Sequence, residues 1–236
     1  MGRLVAALVG ALPNGVVRLN APVTKLERHA STWHVTTDGA APEAYDAVIV
    51  ALHAPQAARI VKSVDGTLSD DLGRIEYAGA TIVVGCYKLA QIRDPLDAFG
   101  FVVPEVERRD ILAASFSSRK FPGRAPEGSV IIRTFLGGAM RPDLVEASDA
   151  EVRRTVAREL SEILGVAGEP LEETVVRWHG AMPQYHLGHV ELVDRIEARA
   201  KQHSGLALAG NAYRGVGVPQ CITSGQAAAA QVLGRG

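Results

Sequence analysis

The chain has 236 residues, 47% apolar and 22% charged, which suits one large domain or two intertwined lobes whose core needs no disulfide staples. Its formal charge is 25 − 26 = −1, which excludes a broad electrostatic footprint for nucleic acid. Cys86 and Cys221 are its two cysteines; they make neither a disulfide framework nor a metal cluster and fit a reducing, cytoplasmic setting, and no apolar run approaches the roughly 20 residues of a membrane span.

Leu4, Ala7, Leu8, Ala11 and Leu12 recur at helical spacing, which predicts an amphipathic N-terminal helix rather than a signal peptide, closed by Pro13-Asn14-Gly15. Val16–Leu19, Pro22–Arg28 and Thr32–Thr37 predict short strands, with Asp38-Gly39 as a turn. Tyr45–Leu52, YDAVIVAL, is a continuous apolar run and predicts a strand buried on both faces beside a parallel neighbour. Gln56–Val61, after Pro55, predicts a short helix. From Ala80 onward Thr81–Leu89, Gly100–Val103, Ile111–Phe116, Val130–Leu136 and Glu173–Trp178 predict a mostly antiparallel sheet with one dry face and one face against a helix or a ligand. Ser148 to Glu151 opens a long helix with a capping-box pattern; Val152, Val156, Leu160, Ile163 and Leu164 form its apolar stripe, and Gly165 ends it. His189–Lys201 predicts a further helix, Gly205–Ala209 a buried strand, and Pro219–Leu233 an alanine-rich last helix.

The connection between that last strand and helix holds the most chemistry. Gly210, Gly215 and Gly217 let main chain approach a ligand closely, and Pro219 suits a first helical turn. The helix start offers unpaired N–H groups and a positive dipole end, able to hold a phosphate or the N1–C2=O edge of a flavin. A glycine turn that merely joins strand to helix has the same spacing. Gly215-Val216-Gly217 lacks a third glycine three places on and an acid about 20 residues later, so this is no ordinary dinucleotide fingerprint.

Leu206–Ala229, LALAGNAYRGVGVPQCITSGQAAA, resembles the C-terminal flavin-binding segment of the protoporphyrinogen oxidase family, within the flavin amine oxidase superfamily. Pro183-Gln184-Tyr185 followed by Gly188-His189 is similar to the family's pattern before its last strand, and Met1-Gly2-Arg3-Leu4 resembles its mid-chain segment. The resemblance implies an α/β fold of α+β character: the C-terminal part of a two-lobed FAD-dependent oxidase. Residues 1–75 would form a partial FAD-binding lobe, 76–204 a substrate-binding sheet domain, and 205–236 the strand, glycine loop and helix returning to the first lobe. It implies FAD as cofactor, a porphyrinogen as substrate and molecular oxygen as electron acceptor. Val23 would lie on the adenine side of FAD, Gly210 and Asn211 in the loop leading to the flavin, and Val216, Gly217 and Val218 would present main chain to it. Val190 stands where relatives carry Trp. The family's N-terminal strand, its G-x-G-x-x-G loop and its acidic ribose ligand are absent from the sequence, so the expectation is a fragment or one piece of a split protein, binding FAD weakly alone and peripheral to the membrane when complete. A related amine or carotenoid-type oxidoreductase and a non-catalytic remnant module are the alternatives.

The remaining tempting residues read blandly. His179, His186 and His189 lack metal-ligand spacing and are expected in structural or pocket-lining roles, while His29, His34, His53 and His203 are expected exposed or locally satisfied. Cys221 has no base beside it in sequence and is expected to be buried beside the cofactor. Ser224-Gly225 is not a nucleophile elbow. Asp70-Asp71, Arg108-Arg109 and the Arg119-Lys120/Arg124 loop read as solvated charges. No catalytic side chain is identified, which suits hydride transfer to a flavin, where the cofactor carries the hard step.

Overall fold

In the computed structural model, which describes residues 2–234, ten strands and eight helices follow one another along the chain. They are α1 (Gly2–Gly10), β1 (Val23–His29), β2 (Thr32–Thr37), β3 (Glu43–Tyr45), β4 (Val48–Val50), α2 (Ala54–Val61), α3 (Gly66–Gly73), β5 (Tyr77–Lys88), β6 (Gly100–Val102), β7 (Ala113–Phe116), α4 (Ser117–Lys120), β8 (Ser129–Gly137), α5 (Asp143–Glu146), α6 (Asp149–Leu164), β9 (Glu172–Pro183), α7 (His189–Ala200), β10 (Leu206–Leu208) and α8 (Val218–Val232). Met1 of the opening motif lies outside the described residues. Residues 1–75 and 187–236 form one compact unit and 76–186 a second. The helix α7 therefore sits with the first unit, whereas the sequence reading placed it in the middle segment.

In the first unit β1, β2 and β3 make an antiparallel meander, with Leu26 opposite Val35 and Trp33 opposite Tyr45. Trp33 is fully buried, and its Nε1–H donates to the Ser204 carbonyl at 3.1 Å. β4 pairs in parallel with β10, Val50 facing Leu208. A buried acid joins the helices. Asp65 caps α3 by accepting from the Leu68 N–H at 2.9 Å, and it also takes Arg199 Nε at 2.8 and 2.9 Å and His203 Nε2 at 2.8 Å.

The second unit is a five-stranded antiparallel sheet, ordered β6-β7-β8-β5-β9. Strand alternation sends Val83, Tyr87, Ile132 and Leu136 to one side, where they share a core with Val152, Val156, Leu160 and Leu164 of α6. The capping box at Ser148 and Glu151 is present, and Gly165 ends α6 at φ +65°.

Several expectations change. Val16–Leu19 forms no strand and is exposed; this short run between Pro13 and Pro22 has no ladder partner, and Arg18 pairs instead with Glu43. YDAVIVAL is split between β3 and β4, which belong to different sheets, and Ile49 and Leu52 stand about 40% exposed rather than buried on both faces. Asp70-Asp71 lies in α3, which the sequence reading did not foresee because its start depends on the Asp65 cap; Asp71 pairs with Arg74 and Arg195. Arg109 is not a solvated turn charge: it bridges Glu159 at 3.0 Å and Glu162 at 2.9 Å on α6.

Candidate functional site

β10 presents two backbone edges, and they are satisfied differently. Toward β4, Val48 N–H donates to the Gly205 carbonyl and Ala209 N–H to the Val50 carbonyl. On the opposite edge α8 supplies side chains: Ser224 Oγ accepts from Gly210 N–H at 3.1 Å, and Gln231 Nε2 donates to the Leu206 carbonyl at 2.9 Å. These two side chains are seven residues apart, two helical turns, so they share the helix face that lies on the strand. Ala228, buried at 3%, packs with Ala207 and Ala209, which is why this face is built of small residues.

The loop between them turns back on itself. Gly210 has φ +135° and Gly215 φ +136°, backbone that L side chains rarely adopt. A Cβ on Gly215 would meet Gln220 Cγ at 2.5 Å, and one on Gly217 would meet Gln220 Oε1, so the loop closes tightly over the Gln220 side chain. Two anchors hold it to α7. His189 Nε2 lies 3.0 Å from the Tyr213 carbonyl; a carbonyl can only accept, so that nitrogen carries the proton. Arg214 forks onto Glu197 at 2.8 and 2.7 Å and Asp194 at 2.7 Å.

Gly217 then caps α8 without a side-chain hydrogen bond, and no acid occupies the first turn. Cys221 N–H donates to the Gly217 carbonyl at 3.0 Å as the first helical bond. Pro219 has no N–H, and the amides of Val218 and Gln220 stand outside the helix's own ladder. An electron-rich ligand edge is what such a terminus accepts best. Beside it a cavity of about 460 Å³ is lined by Gly210, Tyr213, Pro219, Gln220, Ser224 and Gln231, among others.

Of the residues singled out in the sequence, Gly210, Asn211, Val216, Gly217 and Val218 share this loop and helix start, with Val216 and Val218 exposed at 48% and 42%. Val23 begins β1 in the same unit, opposite Thr37 and beside a bulge. Cys221 is partly buried. Within the second unit His179 lies 3.2 Å from Glu146 and His186 3.3 Å from Glu76. Among the described residues no cluster of His, Cys, Asp or Glu is placed to hold a metal ion, and no helix is long and apolar enough to cross a membrane.

His189, Arg214, Gln220, Ser224 and Gln231 shape the loop; the sequence placed Arg214, Gln220 and Ser224 in this segment and gave His189 a structural or pocket-lining role, but showed none of the contacts these side chains make. Asp194 and Glu197, three apart on one helix face, were the available signal for a distant cation. Arg214→Gln is expected to cost under about 1 kcal/mol of global stability, because the pair is half exposed. Hydrogen exchange at the amides of Gly215–Val218 should nevertheless quicken. Unchanged exchange there would show that the fork does not hold the loop.

The model of the family described as flavin containing amine oxidoreductase matches residues 1–233. Coproporphyrinogen III oxidase of Propionibacterium freudenreichii subsp. freudenreichii is 33% identical over 99% of this chain and 44% of its own length. Mitochondrial protoporphyrinogen oxidase of Nicotiana tabacum is 30% identical over 99% of this chain and 49% of its own length. A crystal structure from Exiguobacterium sp. 255-15, provisionally named a protoporphyrinogen oxidase, superposes with TM-score 0.82 at 27% identity, covering 96% of this chain and 49% of that one. The chain thus spans about half the length of the curated relatives it matches.

Proposed function

This chain belongs to the flavin-containing amine oxidoreductase family, and from that premise we propose that it serves as the C-terminal half of an FAD-dependent oxidase converting a porphyrinogen, protoporphyrinogen or coproporphyrinogen, to the porphyrin of haem synthesis. FAD held here would supply the hydride acceptor for each two-electron step of that oxidation, with molecular oxygen taking the electrons and leaving as hydrogen peroxide. The observation that carries this reading is the start of α8, uncapped by any side chain and free of acids, at a loop folded back on glycines. The main chain of Val216, Gly217 and Val218 would face the flavin and favour its electron-rich edge through fixed dipoles. Gly210 and Asn211 would line the approach, and Val23 would lie toward the adenine. The residues present fit the group: the loop carries no Cβ at Gly210, Gly215 and Gly217, and its amides are supplied by main chain. The second unit's sheet would carry the substrate. Both cysteines are free thiols, which supports a reducing, cytoplasmic setting.

The partner in this reading is an N-terminal half bearing the dinucleotide loop. Two observations support it. A two-stranded parallel sheet such as β4–β10 is a marginal unit that normally extends to more strands. Helix α1 also leaves Leu4, Val5, Leu8 and Val9 at 39–58% exposure, with none of its residues buried. The test is co-production of this chain with the part of the P. freudenreichii relative that it does not match. The pair should purify with stoichiometric flavin absorbance and form fluorescent porphyrin, while this chain alone does neither. Stoichiometric FAD on the chain alone would contradict the half-enzyme reading, and a flavin-free pair would contradict the cofactor assignment.

A further inference from the structure

The face of the five-stranded sheet turned away from α6 has an arrangement that strand register fixes. One row crosses all five strands as Val102, Ala113, Phe135, Ile82 and Val176. The adjacent row reads Gly100, Ser115, Arg133, Val84 and Thr174. At strand spacing the first row is an apolar strip about 19 Å long, while the second carries Ser115, Thr174 and, on the central strand, the Arg133 guanidinium. Arg133 is exposed, and its Cζ lies 5.3 Å from the Phe135 ring centroid. Among the described residues no carboxylate pairs with it; Glu172, the acid sharing this face, lies at the sheet's end opposite Cys86. Val102 and Val176 are exposed at 79% and 36%.

An apolar ligand laid on this strip would strip water from the guanidinium, and an unpaired desolvated charge is costly. The ligand must therefore bring its own anion. We infer that Arg133 anchors a carboxylate of an apolar polycarboxylic tetrapyrrole macrocycle whose rings lie over Phe135, Ile82, Val84 and Val176. A cationic amine would be repelled at this position and a neutral polyene would leave the charge unmatched, so the face selects acids. The inference rests on the porphyrinogen reading above and adds the group that recognises the substrate's side chains. Arg is suited to this role because its planar fork binds a carboxylate bidentately while stacking on an aromatic ring.

The test is titration of the reconstituted pair with coproporphyrin III, followed by porphyrin fluorescence, beside the same titration with coproporphyrin III tetramethyl ester. Arg133→Gln is expected to weaken acid binding about tenfold, and Arg133→Lys by no more than about threefold. The ester should bind the unaltered pair and Arg133→Gln equally. If the acid binds the unaltered pair and Arg133→Gln with one affinity, or the ester shows the same loss as the acid, the Arg133 assignment falls while the porphyrin reading stands. If neither porphyrin binds the unaltered pair saturably, the substrate reading falls and takes the assignment with it.

Discussion

Asp65→Ala is expected to cost about 2–4 kcal/mol of stability, because it removes the α3 cap and the buried acceptor shared by Arg199 and His203, both of which keep some access to solvent. Burial alone would push the Asp65 carboxyl upward; the hydrogen bonds from His203, the Leu68 N–H and Arg199 together outweigh it and hold the group down at about 2. A carboxyl whose folded pKa is depressed stabilises the fold above its unfolded value near 4, and that contribution is lost as pH falls through about 2. Urea midpoints followed from pH 4.5 to 2.5 should therefore fall more steeply for the unaltered protein than for Asp65→Asn. Parallel slopes would show that the carboxylate's charge contributes nothing through this network.

Gly215→Val should remove flavin retention by the reconstituted pair, with FAD affinity down by more than about tenfold. Valine is strained at φ +136°, at a cost of about 1–3 kcal/mol. Its Cβ would also strike Gln220, so the loop and the start of α8 would have to move apart. Gly225→Ala, in the middle of α8 with no heavy atom within 4 Å of the new Cβ, is the control. It should leave stability unchanged or raise it by up to about 1 kcal/mol. Equal flavin content in Gly215→Val and the unaltered pair would show that the loop's shape is irrelevant to the cofactor.

Local patterns carried much of this fold. The capping box at Ser148, the stripe from Val152 to Leu164 and Gly165 are all short-range signals, and α6 spans the residues between them. The alternation in Thr32–Thr37 likewise reads directly as β2. What the sequence hid depends on distant partners. YDAVIVAL is apolar but for Asp46, yet its two ends join different sheets, because Tyr45 pairs with Trp33 and Val48 with Leu206. Asp65 and His203 meet across 138 positions, and Arg109 meets α6 across 50. Gly210 and Gly215 were legible because positive φ leaves a compositional mark. Ser224 and Gln231, which satisfy the edge of β10, left none, since polar residues on a helix read equally well as solvated.

The measurement that reaches the central claim most directly is amide NMR of this chain, isotopically labelled and paired with the unlabelled complementary half, without and with FAD. The amides of Val216, Gly217, Val218 and Gln220 should show the largest shifts and should shift again when the flavin is reduced, as negative charge gathers at its N1–C2=O edge. FAD bound stoichiometrically with those four amides unmoved would place the flavin elsewhere and contradict the account.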